Sequence, residues 1–208
     1  MIRVFLADDH EIVREGVKRI VMRAPDMAVV GEASTGDEVL ERAEEDVWDV
    51  LVLDLSLPGR SGLDVLTRLK QKRPAMRVVV LTMHAEDQYA VRVLRSGADA
   101  YLTKGRPAGE ILAAIRTVAS GGKYITPHLG ELLLAPRGSG GSAPHDALTD
   151  RELEVLVAVG KGQSPSAIAA ALGVSASTVS THLRAIKTKL GVDSLGALVQ
   201  YTVRSGLV

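Results

Sequence analysis

The chain of 208 residues contains no cysteine. This absence excludes a disulfide framework, a thiolate metal site and catalysis by a cysteine nucleophile, and it is typical of a reducing compartment. Long apolar runs are also absent, since no stretch approaches the roughly 20 residues that a membrane span needs. The N-terminus reaches the carboxylates of Asp8 and Asp9 too early for a signal peptide. Together these absences predict a cytoplasmic protein with no membrane partner.

The chain also lacks net charge, with 25 basic and 25 acidic residues, but its two parts differ. Residues 1–134 carry 18 Lys and Arg against 20 Asp and Glu, whereas residues 148–208 carry 6 against 4. No Asp or Glu occurs between Val155 and Val192. A mild positive potential is therefore concentrated in the C-terminal part, and the neutral total does not argue against a nucleic-acid partner there.

A chain of this length is able to form two small domains, each with its own core. In residues 1–122, five apolar runs alternate with five amphipathic stretches. The apolar runs predict strands at Ile2–Ala7, Met27–Ala33, Val50–Leu53, Val78–Leu81 and Ala98–Leu102. The amphipathic stretches predict helices at about 10–23, 36–46, 61–73, 86–96 and 107–120. This alternation predicts an α/β domain with a parallel five-stranded sheet covered on both faces.

Charged or hydroxyl-bearing side chains stand at the ends of four predicted strands. Asp54 ends the buried strand Val50–Leu53 and comes shortly before a Pro-Gly turn, so its carboxylate is expected at the rim of the sheet. The other strand-end residues are Asp8 and Asp9 after the first strand, Thr82 after the fourth and Lys104 after the fifth. Because ligands of open α/β sheets bind at the carboxyl ends of strands, we expect these side chains to converge.

This combination of groups is suited to one kind of chemistry. Clustered carboxylates repel one another unless a cation lies among them, and Mg²⁺ takes one or two carboxylates plus substrate oxygens and water. A phosphoryl group on Asp54 would meet Mg²⁺ on one side, the Lys104 ammonium on another and the Thr82 hydroxyl as a donor. Each residue alone has a structural alternative, such as a helix cap or a solvated strand end. The whole set indicates that Asp54 accepts a phosphoryl group.

With these strand-end residues, segment 1–122 resembles the receiver domain of a two-component response regulator, which has a flavodoxin-like (βα)5 fold. The resemblance implies that Asp54 is the phosphoacceptor. It implies a Mg²⁺ site formed by Asp8, Asp9, Asp54 and the carbonyl group of Ser56.

The same resemblance assigns Thr82 and Tyr101 to a switch pair, with Lys104 binding the phosphoryl group. In the family, the Thr moves toward the phosphoryl group and the aromatic ring rotates inward. The sequence departs from many receivers at Gly105, where Pro is common, and at Met83, where a small residue is common.

The composition changes after residue 134. The segment 135–147 is rich in Gly, Ser and Pro and predicts a flexible linker, preceded by a short helix at Pro127–Leu134 within a linker region of residues 123–147. Capping residues and helix stops in residues 148–208 then predict an all-α domain of four helices. The predicted helices lie at about 149–160, 164–172, 175–190 and 194–205.

The third of these helices has two different faces. Its apolar stripe consists of Val179, Leu183, Ile186 and Leu190. Its opposite stripe consists of Ser177, Thr181, Arg184 and Thr188. Small hydroxyls around one Arg, on a helix with no acidic residue, fit the major groove of DNA, although the pattern of this helix alone favours a solvated polar face. The arrangement of helix, short turn and longer helix at 164–190 favours DNA.

Residues 148–208 resemble the LuxR-type helix-turn-helix domain. The resemblance rests on Leu-Thr-x-Arg-Glu at 148–152, Ile168-Ala169, Thr178-Val179-x-x-His182 and Lys189-Leu190. The residues expected to contact DNA are Ser177, Thr178, Ser180, Thr181, Arg184, Lys187 and Lys189. Ser180 stands where Lys is frequent in the family and Leu195 where Arg is common, so one domain is expected to bind weakly.

The two resemblances together describe a NarL/FixJ-type response regulator, a transcription regulator rather than a turnover enzyme. The implied partners are a sensor histidine kinase, double-stranded promoter DNA and a second copy of the chain on activation, with RNA polymerase as a further candidate. Two alternatives stay open. One is a phosphohydrolase with an Asp nucleophile, although Ser56 stands where many such enzymes have a second carboxylate. The other is a receiver that signals through protein contacts, with the C-terminal bundle as a dimerisation module.

Overall fold

The structure is a computed structural model, and it describes residues 1–45, 47–84, 86–134 and 144–208. The chain divides into two compact units, Met1–Ala135 and Pro136–Val208. Most of the predicted flexible linker, residues 135–143, lies outside the described residues. Within the described ranges, no helix has the length and apolarity that crossing a bilayer requires.

The N-terminal unit contains five parallel strands in the order β2-β1-β3-β4-β5. The strands are β1 (Ile2–Ala7), β2 (Met27–Ala33), β3 (Val50–Leu53), β4 (Arg77–Thr82) and β5 (Ala100–Thr103). The helices between and after them are α1 (Glu11–Met22), α2 (Gly36–Glu45), α3 (Gly62–Lys72), α4 (Glu86–Arg95) and α5 (Ala108–Ala119). The predicted α/β fold with a parallel sheet is therefore confirmed. The strand order reverses between β1 and β3, which is where such sheets bind ligands.

Successive residues of each strand point to opposite faces of the sheet, and both faces are buried. Val4, Leu6 and their neighbours on the other strands form one core with residues of α1 and α5. Phe5 and Leu51 point to the opposite face and are fully buried as well, and the Phe5 ring stacks on Trp48 with centroids 4.2 Å apart. Burial on both faces explains why the strands are continuous apolar runs in the sequence.

Residues 123–134 pack on the N-terminal unit, whereas the sequence alone assigned them to the linker region. Tyr124 forms an isolated parallel bridge with Ala100, and its N–H donates to the Asp99 carbonyl at 3.0 Å. The short helix at Pro127–Leu134, α6, contacts α4 and buries Leu129 completely. These partners are distant in sequence, so local composition did not indicate them.

The C-terminal unit is all-α, as predicted. It contains a 3₁₀ helix at Pro144–Ala147 and the helices α7 (Asp150–Gly160), α8 (Pro165–Ala171), α9 (Ala176–Leu190) and α10 (Leu195–Arg204). The hydroxyls of Thr149, Ser164, Ser175 and Ser194 each accept a backbone N–H and cap one helix. Gly191 follows α9 as its C-cap, and its φ of 66° is readily adopted by glycine. α7 packs against α8, α9 and α10, which places α7 at the centre of the unit.

Candidate functional site

The carboxyl ends of β1 and β3 bring acidic side chains together. The Asp54 N–H donates to the Ala7 carbonyl at 2.8 Å, so the residue after β3 is held beside the end of β1. Asp54 is 2% exposed and Asp8 is 7% exposed. Carboxylate oxygens of Asp8, Asp9 and Asp54 and a ring nitrogen of His10 all lie within 4.8 Å of one another. This pocket offers several hard oxygen ligands within a small volume.

Lys104, after β5, reaches into the same pocket. Its Nζ lies 2.7 Å from Asp54 Oδ2 and 2.8 Å from Asp8 Oδ2, and its side chain is 5% exposed. Burial disfavours the ammonium, but the charge of Asp54 and the hydrogen bonds to both carboxylates raise the pKa of Lys104 above its ordinary value. Burial, together with the charge of Asp54, raises the pKa of Asp8 despite its bond to Lys104. One ammonium thus bridges two buried carboxylates.

Three further predicted site residues lie near this pocket, and each of them contacts His84: Ser56, Thr82 and Tyr101. The Ser56 N–H donates to Asp54 Oδ1 at 3.2 Å, and its hydroxyl lies 3.1 Å from His84 Nε2. Thr82 is fully buried at the end of β4, and its hydroxyl oxygen accepts the backbone N–H of His84 at 3.4 Å. The Tyr101 ring is also fully buried, and its hydroxyl donates to the His84 carbonyl at 3.0 Å. Burial raises the pKa of Tyr101.

Sequence reasoning did not single out His84 or Gly62. His84 follows Thr82 by two residues, just after β4 ends, and this place at a strand end was an available signal. A Cβ atom on Gly62 would lie 2.1 Å from the Asp54 carbonyl oxygen, so only glycine allows α3 to begin against this strand end. The sequence carried no comparable signal for Gly62.

α9 exposes most of the residues that were expected to contact DNA. Val179 and Ile186 are buried, which orients the helix. Ser177, Ser180, Thr181 and Arg184 are exposed, whereas Thr178 and Lys187 are half-buried. The Ser180 and Thr181 hydroxyls donate to backbone carbonyls one turn earlier, at 3.0 Å, and keep their oxygen lone pairs as acceptors. In the described part of the chain, neither the guanidinium of Arg184 nor the ammonium of Lys187 has a hydrogen-bond or ion-pair partner.

Lys189 differs from these residues because its ammonium is engaged inside the domain. Its Nζ lies 2.7 Å from Oε2 of Glu152, whose side chain is 7% exposed. Burial opposes ionisation of Glu152, but Lys189 and the N–H of Thr149 lower the pKa of this carboxyl overall. The prediction that Lys189 is a DNA contact did not include this ion pair, because helical spacing alone does not show that Glu152 lies beside the last turn of α9.

Arg151 makes a second connection within this unit. Its Nη2 donates to the Leu172 carbonyl at 2.7 Å, at the end of α8, and its Nη1 lies 2.8 Å from Glu154. Burial, together with the positive charge of Arg151, lowers the pKa of His182 on α9. The first turn of α7 therefore contacts α8 through Arg151 and α9 through Glu152.

Family models match both units. The model described as "Response regulator receiver domain" matches residues 4–116, and the model described as "Bacterial regulatory proteins, luxR family" matches residues 146–202. The chain belongs to the response regulators. It is of the NarL/FixJ type, with a receiver domain and a LuxR-type DNA-binding domain, which confirms both resemblances.

Two relatives of this response regulator align along its whole length. Response regulator GacA of Pseudomonas viridiflava is 35% identical over 210 residues, which cover 100% of this chain and 98% of the relative. Response regulator UvrY of Escherichia coli K12 is 32% identical and covers 100% of this chain and 96% of the relative. Such relatives are response regulators and not metabolic enzymes.

Among solved structures, RcsB of Salmonella enterica serovar Typhimurium is 26% identical, with a TM-score of 0.65 over 96% of this chain and 97% of RcsB. That RcsB is bound to the promoter P1flhDC in the presence of the phosphomimetic BeF3⁻. A further RcsB structure contains two dimers bound to two parallel DNAs.

Proposed function

We propose that this response regulator is a transcription regulator that is activated by a phosphoryl group on Asp54. The observation that supports the proposal most strongly is the Lys104 ammonium, which lies within 2.8 Å of both Asp54 and Asp8 at the switch point of the sheet. A lysine in this position neutralises the resting carboxylates and is able to pair with a phosphoryl oxygen after transfer.

In the proposed transfer, an Asp54 carboxylate oxygen forms a bond to phosphorus. The bond from phosphorus to the donor breaks, and the donor leaves with that electron pair. The donor is a phosphohistidine of a sensor histidine kinase or a small acyl phosphate. The Lys104 ammonium and the Ser56 N–H, which already contact the Asp54 carboxylate oxygens, hold it in position for this attack.

The donor set around Asp54 fits Mg²⁺, because carboxylate and carbonyl oxygens are its preferred protein ligands. Asp8, Asp9, Asp54 and the carbonyl group of Ser56 would hold the ion. Mg²⁺ bound there would neutralise the clustered carboxylates and the phosphoryl oxygens. A single ammonium does not suffice for this, since a phosphoryl group adds about −1.5 to −2 charges at pH 7.

We propose that Thr82 and Tyr101 convey the phosphorylated state. Both are fully buried, and both contact His84, so a shift of the Thr82 hydroxyl toward the phosphoryl group alters the segment that also holds the Tyr101 hydroxyl. The phosphoryl group biases this equilibrium only by the difference in its binding free energy between the two arrangements.

α9 is proposed as the recognition helix. Exposed Arg184 would contact guanine or phosphate, Ser177, Ser180 and Thr181 would contact base edges and backbone, and Thr178 and Lys187 would contact phosphates. Support comes from the exposure of this face and from RcsB, a related protein bound to promoter DNA. Because Lys189 is paired with Glu152, we assign it to the stability of the domain and not to a phosphate contact.

Activation is proposed to produce a homodimer on DNA. On α10, Leu195, Val199 and Val203 recur every four residues, and Leu195 and Val203 are 40% and 60% exposed. An exposed apolar stripe on one helix is suited to pairing with the same stripe on a second copy. Two domains on adjacent half-sites would offset the weak binding of one through effective concentration.

The remaining assignments follow from this function. Residues 1–134 would form the regulatory part, because 123–134 pack with the receiver, and residues 148–208 would form the DNA-binding part. The segment between them would serve as the linker. RNA polymerase is a further proposed partner, and the cytoplasm is the proposed compartment.

Phosphorylation is tested by incubating the protein with acetyl phosphate and following its intact mass. One phosphoryl group is expected on the wild type with Mg²⁺ and none with EDTA or in Asp54→Asn. Asp64→Asn, at an exposed position of α3, is the matched control and is expected to react normally. Labelling of Asp54→Asn at the wild-type level contradicts the proposal.

DNA binding is tested by selecting genomic fragments with the phosphorylated protein. Retention of a defined set of promoters supports a transcription regulator. Its absence favours a regulator that acts through protein contacts alone, and release of phosphate over many turnovers favours a phosphohydrolase.

A further inference from the structure

Glu86, the first residue of α4, is a buried carboxylate with two partners from different parts of the chain. It is 5% exposed. Its Oε1 lies 2.8 Å from Arg106 Nη2, after β5, and its Oε2 accepts the hydroxyl of Thr126 at 2.7 Å. A buried carboxylate is stable only with such compensation, so these contacts constrain the position of Glu86.

Thr126 connects this carboxylate to α6. Its side chain is buried, and its oxygen accepts the N–H of Leu129 at 3.2 Å in the manner of a helix cap. Pro127 begins α6 directly afterwards, and fully buried Leu129 anchors the helix beside α4. One hydroxyl therefore both caps α6 and fastens it to α4.

Glu86 also lies next to the proposed switch residues. His84, which contacts Thr82 and Tyr101, precedes it by two residues, and Arg106 follows Lys104 by two residues. The charge of Glu86 contributes to raising the pKa of Tyr101, which reflects their proximity. Glu86 and its partner Arg106 therefore lie where a rearrangement at the end of β4 or β5 would reach them.

We propose that the Glu86–Thr126 contact is a latch that holds α6 on α4, and that rearrangement around Asp54 releases α6. The proposal rests on the proposed function of Asp54 and identifies how its state leaves the receiver. Glu86 acts as a positioning residue, because it touches Thr126 and not the reacting atoms. α6 ends at Leu134, immediately before the linker to the DNA-binding domain, so its release changes the start of that linker.

The latch is tested first by amide hydrogen exchange of α6 in the full chain. Thr126→Val removes the hydroxyl, Glu86→Met removes its acceptor but leaves the cap, and Thr126→Ser retains both contacts. Thr67→Val, which removes an exposed hydroxyl of α3, is the matched control. We expect amide exchange in α6 to accelerate about tenfold or more in Thr126→Val and Glu86→Met and to stay unchanged in Thr126→Ser and Thr67→Val. Exchange in β1 and β3 should be unaffected in all four variants.

The second measurement separates signalling from structure. Phosphorylated wild type is expected to show the same acceleration in α6, and Asp54→Asn treated identically is not. Unphosphorylated Thr126→Val and Glu86→Met are expected to bind operator DNA more tightly than unphosphorylated wild type. The fold increase in operator affinity on phosphorylation should therefore be at least about threefold smaller in these two variants than in wild type. Unchanged exchange of α6 in both variants overturns the latch, and so does faster exchange with a fully retained response to phosphorylation.

These outcomes are distinct from failure of the proposed function. If wild type takes no phosphoryl group on Asp54, the proposed function fails. Exchange of α6 in Glu86→Met then still decides whether Glu86 holds the helix.

Discussion

The ammonium of Lys189 lies 2.7 Å from Glu152 Oε2, the same oxygen that accepts the N–H of Thr149. The last turn of α9 is thereby attached to the first turn of α7. Glu152 serves the helix cap and the ion pair together, so replacing Lys189 removes the charged group that compensates a buried carboxylate.

Replacing Lys189 by Ala is expected to lower the free energy of unfolding of the C-terminal domain by about 1 to 2 kcal/mol, since the ammonium is partly solvated. The salt dependence of DNA binding should stay unchanged. Lys187→Ala is the comparison, because loss of a phosphate contact should reduce the salt slope by about 1 with little effect on unfolding. A reduced salt slope in Lys189→Ala would show that Lys189 contacts DNA despite its ion pair.

Replacing Arg184 by Ala is expected to cost about 1 to 3 kcal/mol of specific DNA binding. The fold should persist, because this exposed guanidinium has no protein partner within the described residues. Titration of operator DNA at moderate salt measures the loss, and Arg204→Ala, exposed on α10, provides the control. Equal affinities for wild type and Arg184→Ala would mean that this face of α9 is merely solvated.

Two glycine substitutions should have opposite effects. Gly62→Ala places a Cβ 2.1 Å from the Asp54 carbonyl oxygen and is expected to cost about 1 to 3 kcal/mol of stability and to slow phosphorylation. Gly16→Ala lies within α1 with no atom within 4 Å and should stabilise the domain by about 0.5 to 1 kcal/mol. Urea unfolding checks both, and a neutral Gly62→Ala would contradict the close approach.

Stability of the C-terminal domain should fall as the pH drops through the ordinary range of His182. Burial and Arg151 lower its pKa in the folded state, so the unfolded chain binds the proton more tightly. The neutral His182 ring therefore contributes fully to the free energy of unfolding above about pH 6.5, and this contribution is lost as the pH falls below that value. The loss should be less than about 1 kcal/mol, because the ring is only half-buried. Unfolding of His182→Gln between pH 7.5 and 5.5 should depend less on pH than that of wild type.

Placing a charge on α10 should prevent association. Val203→Glu is expected to keep the phosphorylated protein monomeric in sedimentation and to weaken operator binding, while Asp54 is phosphorylated normally. Val47→Glu is the matched control, because Val47 is also 60% exposed but lies in the receiver. Dimers of Val203→Glu at wild-type levels would exclude the α10 stripe as the interface.

Much of this protein follows from local patterns in its sequence. Strands such as Ile2–Ala7 and Val50–Leu53 have the predicted bounds, because burial on both faces requires continuous apolar residues. The proximity of Asp8, Asp54 and Lys104 was predictable as well, since parallel strands bring their carboxyl ends to one edge. The helices of the C-terminal unit begin at the expected capping residues.

Tertiary structure alone decided the contacts between side chains far apart in the chain. The pairing of Lys189 with Glu152 joins residues 37 positions apart, and the bond between Thr126 and Glu86 spans 40. Periodicity identifies which face of a helix is polar, but it does not identify the polar group that packing brings to that face. For this reason the sequence predicted that Lys189 contacts DNA and that residues 123–134 belong to a linker. In the structure Lys189 pairs with the buried carboxylate of Glu152, and Thr126, from segment 123–134, donates to the buried carboxylate of Glu86. Each of these buried carboxylates required a partner that the local sequence does not reveal.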